Sequence, residues 1–278
     1  MRLPETPKAE PKNPMADISA KDVKALRDET GAGMMDAKKA LVAADGDMEA
    51  AKQALREKGL AKASGRGDRE NMEGAALVVG DSAKAAIVHV KCETDFSAKS
   101  DSFVAFVQKL ADAVLAEGAE AGQASLATDL EDLKLLLKEN IEVAVAEVLE
   151  AGDGNILDSY VHMQEGRGTN AVVIEGSGID ADTLHQVALH VAFAKPMCLT
   201  RDEVPAEEVE AERANLLEIT KAEGKPEQAW DKIVDGRISA WLGERVLLDQ
   251  GLHGDKVTVG ATVGSGEIVR FVQAYTGA

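Results

Sequence analysis

The stretch IEVAVAEVLEAGDGNILDSYVHMQEGRGTNAVVIEGSG, residues 141–178, decides the fold class. It reads as three strands separated by GDGN and EGRGTN, whose glycines, Asn and Asp suit tight turns, so a meander is expected. A helix follows, capped near Asp180 or Asp182. Leu184, Val187, Ala188, Val191 and Ala192 share one of its faces, and Pro196 stops it. Strands and helices are both present without strict βαβ alternation, which makes the chain α+β.

Upstream, AALVVG (75–80) and KAAIVHVKC (84–92) flank DSA and predict a hairpin. Phe103, Phe106, Val107, Leu110 and Val114 then recur at helical spacing, with Ser100 or Asp101 as the cap. DLEDLKLLLKEN (129–140) reads as a further helix. Nearer the N-terminus three short helices are expected. The first places Ile18, Val23 and Leu26 near one stripe with Ser19 as N-cap. The second carries Met34, Ala37, Ala40 and Leu41. The third starts at Asp47 and stops at Gly59.

Downstream, PAEEVEAERANLLEITKAEG (205–224) and KPEQAWDKIVDGRISAWLGERVLL (225–248) predict an antiparallel helical hairpin joined by GKP. The alternating segment GEIVRFVQAYTG (266–277) is expected to return to the sheet of the opening stretch. The expected organisation is a disordered tail at 1–14, a three-helix module at 15–63 and a linker at 64–73. A core N-subdomain at 74–150 and a core C-subdomain at 151–200 with 248–278 follow, with antiparallel sheets. The helical hairpin at 201–247 is an insertion. Met15 is an alternative start.

Composition narrows the function. With 31 basic and 49 acidic residues the net charge is −18, which repels phosphate backbones, so no direct nucleic-acid partner is expected. No apolar run approaches a membrane span, and MRLPETPKAEPKNPM lacks the apolar stretch of a secretory signal. Cys92 and Cys198 make no disulfide framework. A cytoplasmic address fits these features.

Chemistry is sparse. GAGMMDAKK (31–39) is glycine-rich before a helix, but it lacks the Gly-Lys-Ser/Thr ending of a phosphate loop and no strand precedes it. His185 and His190 lie five apart, not the four of a helical zinc pair. No GxSxG elbow is present. The expectation is no enzyme, no catalytic residue, no metal site and no cofactor.

Two stretches are more specific than composition. LRDETGAGMMDAKKAL (26–41) and CETDFSAK (92–99) resemble the two signatures of the bacterial translation elongation factor Ts family. KENIEV, SYVH and HQVALHVAFAKP resemble further family segments, in the family's order. Coverage runs from about Ile18 to Leu248. Ser97 departs from the family's usual valine, and the arginines often found after Asn140 are absent. The C-terminal portion looks shorter than the family's usual ending.

The resemblance implies a guanine-nucleotide exchange factor whose partner is elongation factor Tu, a GTPase. It implies that the N-terminal module is of the ubiquitin-associated (UBA-like) type. It also implies that Thr94, Asp95, Phe96 and Ser97 form the tip that disturbs the partner's magnesium site. Arg27, Met34, Met35, Lys38, Glu139, Asn140 and His162 are the other implied contacts. The alternative is a UBA-like protein-interaction adaptor without exchange activity. Leu216, Ile219, Trp230 and Trp241 in the insertion are compatible with a homodimer or with packing on the core.

Overall fold

The computed structural model describes residues 18–65 and 67–277. The expected tail at 1–14 and the alternative start at Met15 lie outside the described residues. The chain divides into two compact units. One joins the residues up to Glu70 with Thr128–Asn140; the other joins Asn71–Ala127 with the residues from Ile141 onward.

The first unit opens with α1 (Ala20–Thr30), α2 (Met34–Ala43) and α3 (Met48–Ser64). Ser19 caps α1: its Oγ accepts from the Asp22 N–H at 3.1 Å while the Asp22 carboxylate reaches back, a capping box. Val23, Leu26, Ala37, Ala40, Leu41 and Ala51 close a small aliphatic core. Asp47 starts α3 as expected, accepting from the Glu49 and Ala50 N–H groups at 3.0 Å. Gly59 does not end α3, which continues to Ser64. A side chain at Gly59 would press on the Leu135 methyl and displace it, so this glycine sits at a close helix approach and not at a stop.

Leu135 belongs to α7 (Ala127–Leu137). Asp132 on the same helix pairs with Arg56 at 3.1 Å, and the Lys138 ammonium donates to the Gly31 carbonyl at 3.2 Å. Residues 128–140, placed by the sequence in the 74–150 part, are therefore packed with the N-terminal helices. Their partners are too distant in sequence to be seen from local pattern.

The second unit contains β1 (Glu73–Gly80), β2 (Lys84–Cys92), α4 (Asp95–Ala98), α5 (Asp101–Glu117) and α6 (Ala119–Ser125). It continues with β3 (Glu142–Glu150), β4 (Asn155–Gln164), β5 (Arg167–Ser177), α8 (Ala181–Ala194), α9 (Ala206–Ala222), α10 (Trp230–Gly243), α11 (Val259–Thr262) and β6 (Glu267–Tyr275). The β1–β2 hairpin is present; Asp81 closes it by accepting from Ala83 and Lys84 N–H groups.

The opening stretch is not one meander. β3 pairs antiparallel with β2, giving a sheet ordered β1-β2-β3, while β4-β5-β6 form a second antiparallel sheet. GDGN is a crossover between sheets, not a hairpin turn. The first hairpin takes up its neighbours: Ala151 N–H donates to the Ala83 carbonyl at 2.8 Å and Leu157 N–H to Ser82 at 2.8 Å. The Glu175 carboxylate holds the crossover from below, accepting from Gly152 N–H and Asn155 Nδ2 at 2.8 Å each.

The two sheets share a core. Ala76, Ala85, Ile87 and Leu149 from the first face Leu157, Ala171, Val173 and Ala274 from the second. At Gly168 the approach is so close that a Cβ would collide with the Ala76 carbonyl of β1. α5 covers the outer face of the first sheet with Phe103, Phe106, Leu110 and Val114 buried. α8 covers the second sheet, packing Leu184, Val187 and Val191 against Val172 and Ile174. β5 therefore buries both faces, as its uninterrupted apolar run AVVI requires.

α9 and α10 form the helical hairpin. It has its own cluster of Val204, Val234, Ile238, Leu242 and Val246, with Leu216 and Trp241 packed against it. Arg213–Asp235 (2.7 Å) and Arg237–Glu223 (2.8 Å) stitch its two helices.

Candidate functional site

Between β2 and α5 the chain makes a single helical turn, α4, and Phe96 stands on it. The side chain is 84% exposed, against 0% for Phe103 one helix later. A phenylalanine left in water at the end of a strand has no packing purpose in its own chain.

The turn around it is tightly specified. Thr94 is the N-cap, its Oγ1 accepting from the Ser97 N–H at 3.3 Å. The Cys92 thiol, buried, donates to the Thr94 carbonyl at 3.3 Å. Ser100 Oγ donates to the Ser97 carbonyl at 2.7 Å and, as N-cap of α5, accepts from Phe103 N–H. Backbone bonds from Ala98 N–H to the Thr94 carbonyl (3.1 Å) and from Lys99 N–H to the Asp95 carbonyl (3.0 Å) complete the turn.

Asp95 is also engaged. Its carboxylate accepts from Lys99 Nζ at 2.8 Å, four residues on. That hydrogen bond from Lys99 is the main cause that holds the Asp95 carboxyl below its usual range. Lys99 in turn is raised, first by Asp95 and then by Glu165, whose Oε2 lies 2.6 Å from Nζ. Asp95 is thus tied to Lys99 across the turn. Ser97 is buried at 7%, so it lies beneath the turn while Phe96 projects from it.

The other expected residues fall in two places. In the first unit Arg27, Met34, Met35 and Lys38 are all exposed, Met34 by 48% and Met35 by 63%. Glu139 and Asn140 are half-buried, and the Asn140 amide donates to the Gly67 carbonyl at 3.3 Å and to the Arg69 carbonyl at 2.8 Å. In the second unit His162 is exposed near the end of β4, its Nδ1 3.1 Å from the Tyr160 hydroxyl. Two residues of the turn's surroundings escaped the sequence reading. Lys99 carried a usable signal, the Asp–Lys spacing of four. Glu165 carried none.

Comparison with known proteins gives the arrangement a lineage. The family described as Elongation factor TS matches residues 93–278, a span that begins just before the Phe96 turn. The chain belongs to the elongation factor Ts family. Relatives named Elongation factor Ts support this along nearly the whole length. The protein of Cutibacterium acnes is 39% identical over 271 residues, covering 94% of this chain and 99% of its own. That of Lacticaseibacillus casei is 43% identical over 246 residues, covering 85% and 83%. That of Clavibacter michiganensis is 41% identical over 247 residues, covering 85% and 89%. As an elongation factor Ts the chain is a translation elongation factor with a place in protein biosynthesis. Among the described residues no helix is long and apolar enough to cross a membrane.

Proposed function

We propose that the chain is the guanine-nucleotide exchange factor of elongation factor Tu, acting through the Phe96 turn. The observation that carries the reading is an almost fully exposed phenylalanine on a turn whose backbone and acidic neighbour are held by the chain itself. A preorganised apolar probe loses little conformational freedom on binding.

The chemistry asked of it is differential binding. A GTPase holds magnesium between nucleotide phosphates and protein oxygens in near-octahedral geometry, so displacing one ligand-bearing element weakens the ion and the nucleotide together. Burying Phe96 is worth roughly 1.5–3 kcal/mol. If the pocket opens only in the distorted state, that energy favours distortion. Linkage then makes the effect mutual: the factor weakens GDP by the ratio by which GDP weakens the factor. No covalent bond is made or broken, so the chain is not an enzyme in this reading, and it needs no cofactor or metal of its own.

Thr94, Asp95 and Ser97 serve by shaping the turn. Arg27, Met34, Met35 and Lys38 supply a second contact, the methionines as adaptable apolar groups. Glu139, Asn140 and His162 are further contacts. We also infer the cytoplasm as its compartment, and a second unit whose core parts are 74–150 without residues 128–140, and 151–200 with 248–278, carrying 201–247 as an insertion. The deciding experiment is release of labelled GDP from the cognate GTPase. Substoichiometric protein should accelerate it, and Phe96→Ala should lower the acceleration. A wild-type protein without effect on release would end the reading.

A further inference from the structure

We propose that Lys99 is a positioning residue that locks the Phe96 turn to the tip of the β4–β5 hairpin, so that Phe96 and His162 meet the GTPase as one coupled surface. This rests on the exchange reading above.

Lys99 stands between two carboxylates from different parts of the chain. Asp95 Oδ2 lies 2.8 Å from its ammonium and Glu165 Oε2 lies 2.6 Å from it. Asp95 belongs to the turn; Glu165 is the tip of the hairpin whose first strand carries His162. Lys99 thus bridges the turn and the hairpin tip, and the charge of Arg167, next to that tip, acts on Asp95 as well.

The hairpin tip is built to reach it. Glu165 and Gly166 both have positive φ, 52° and 82°. Such a two-residue turn favours Asn, Asp or Gly, and a glutamate there adopts a disfavoured backbone. Glutamate is the longer acid, and its carboxylate ends on Lys99. The far side of the hairpin is anchored as well. Arg167, only 7% exposed, donates to the Gly74 carbonyl at 2.6 Å and pairs with Glu73 at 3.0 Å. Thr169 Oγ1 donates to the His162 carbonyl at 3.3 Å where the register shifts. A strut from Lys99 to Glu165 therefore ties down the tip of a hairpin whose second strand is already anchored.

Lys99 is 31% exposed and Glu165 57%, so the pair is screened by salt and contributes little to stability. Its effect is on orientation, which predicts altered exchange with unaltered melting. The test measures GDP release from the cognate GTPase by full-length wild type, Lys99→Met, Lys99→Arg, Glu165→Gln, Phe96→Ala and the double variant Phe96→Ala/Glu165→Gln. At low ionic strength Glu165→Gln and Lys99→Met should lower the acceleration by up to about fivefold, the size open to an exposed ion pair. High salt should shrink the difference from wild type, and Lys99→Arg should keep most of the activity. Phe96→Ala should cost less in the Glu165→Gln background than in wild type, with thermal midpoints of the Lys99 and Glu165 variants unchanged. Independent, multiplying effects of Phe96→Ala and Glu165→Gln would overturn the coupling, as would a Glu165→Gln protein equal to wild type. Failure of wild type itself to accelerate release would overturn the exchange reading, and this inference with it.

Discussion

Arg270 Nε donates to Glu175 Oε2 at 2.7 Å, and the Glu175 side chain is only 3% exposed. The pair joins β6 to β5, and Arg270 also donates to the Glu150 carbonyl at the end of β3 at 2.9 Å. Burial by itself would push the Glu175 carboxyl up. The hydrogen bonds from Asn155, Gly152 N–H and Arg270 outweigh it and hold the group below its usual range. Glu175→Ala removes the shared acceptor of three donors, and should destabilise the protein by about 3 kcal/mol, read as a fall in the urea midpoint. Because the folded carboxyl is depressed, its contribution is full above the unfolded pKa and is lost as pH falls through the folded one. Wild type should therefore lose stability below the ordinary glutamate range more steeply than Glu175→Gln.

Phe96 and Phe103 should separate stability from activity. Phe103 is fully buried on the inner face of α5, and Phe103→Ala should cost about 3–5 kcal/mol. Phe96 is exposed, and Phe96→Ala should change stability by no more than about 0.5 kcal/mol while lowering GDP release. Paired denaturation and exchange measurements on both variants check this.

His89 gives a second acid limb. It lies on β2 at 4% exposure, with its Nε2 lacking a hydrogen-bond partner among the described residues. Burial first, then the nearby Lys91 charge, lowers its pKa to about 4 against an opposing effect of Glu142. The unfolded chain therefore takes up the proton first. Stability should be intact above pH 6.5, fall as pH drops toward 4, and change no further through this group below that. The loss amounts to about 3 kcal/mol at most. His89→Leu should flatten much of this limb in pH-dependent denaturation. A smaller slope should remain from His190, which burial lowers too and whose Nδ1 accepts from the His253 N–H.

Ser97 is buried beneath the turn, at the position where the resemblance leads one to expect valine. Ser97→Val should shift the melting temperature more than it shifts GDP release, which, with Phe96 as the proposed contact, should stay within about twofold of wild type. Melting curves and release rates on the same preparation compare the two.

Local pattern revealed much of this fold. The apolar stripes of α5 and α8, the cap Ser19 and the alternating β6 were readable because each is decided within a turn or two of chain, while the caps of α5 and α8 were narrowed to Ser100 or Asp101 and Asp180 or Asp182, of which the structure uses Ser100 and Asp180. Pairing across distance was not. β3 reads like the first strand of a meander, yet its partner β2 lies before α5, and nothing in GDGN says which sheet comes next. Gly59 reads as a stop because its reason, Leu135, is on another helix. The candidate site divides the same way. Phe96 entered through the family resemblance, and the Asp95–Lys99 spacing of four is present in the sequence although Lys99 was not among the expected residues. Glu165 was hidden because an ion pair between a turn and a remote hairpin leaves no periodicity.

The placement of β6 bears on how the molecule is made. Its partner β5 is separated from it by α8, the α9–α10 hairpin and α11. During synthesis β1, β2 and β3 can assemble, and β4 can fold back on β5, well before residue 275 exists. Until then β5 presents an open flank rich in valine and isoleucine, the kind of edge that recruits other strands. A nascent chain paused within α9 or α10 should be the species most in need of a chaperone.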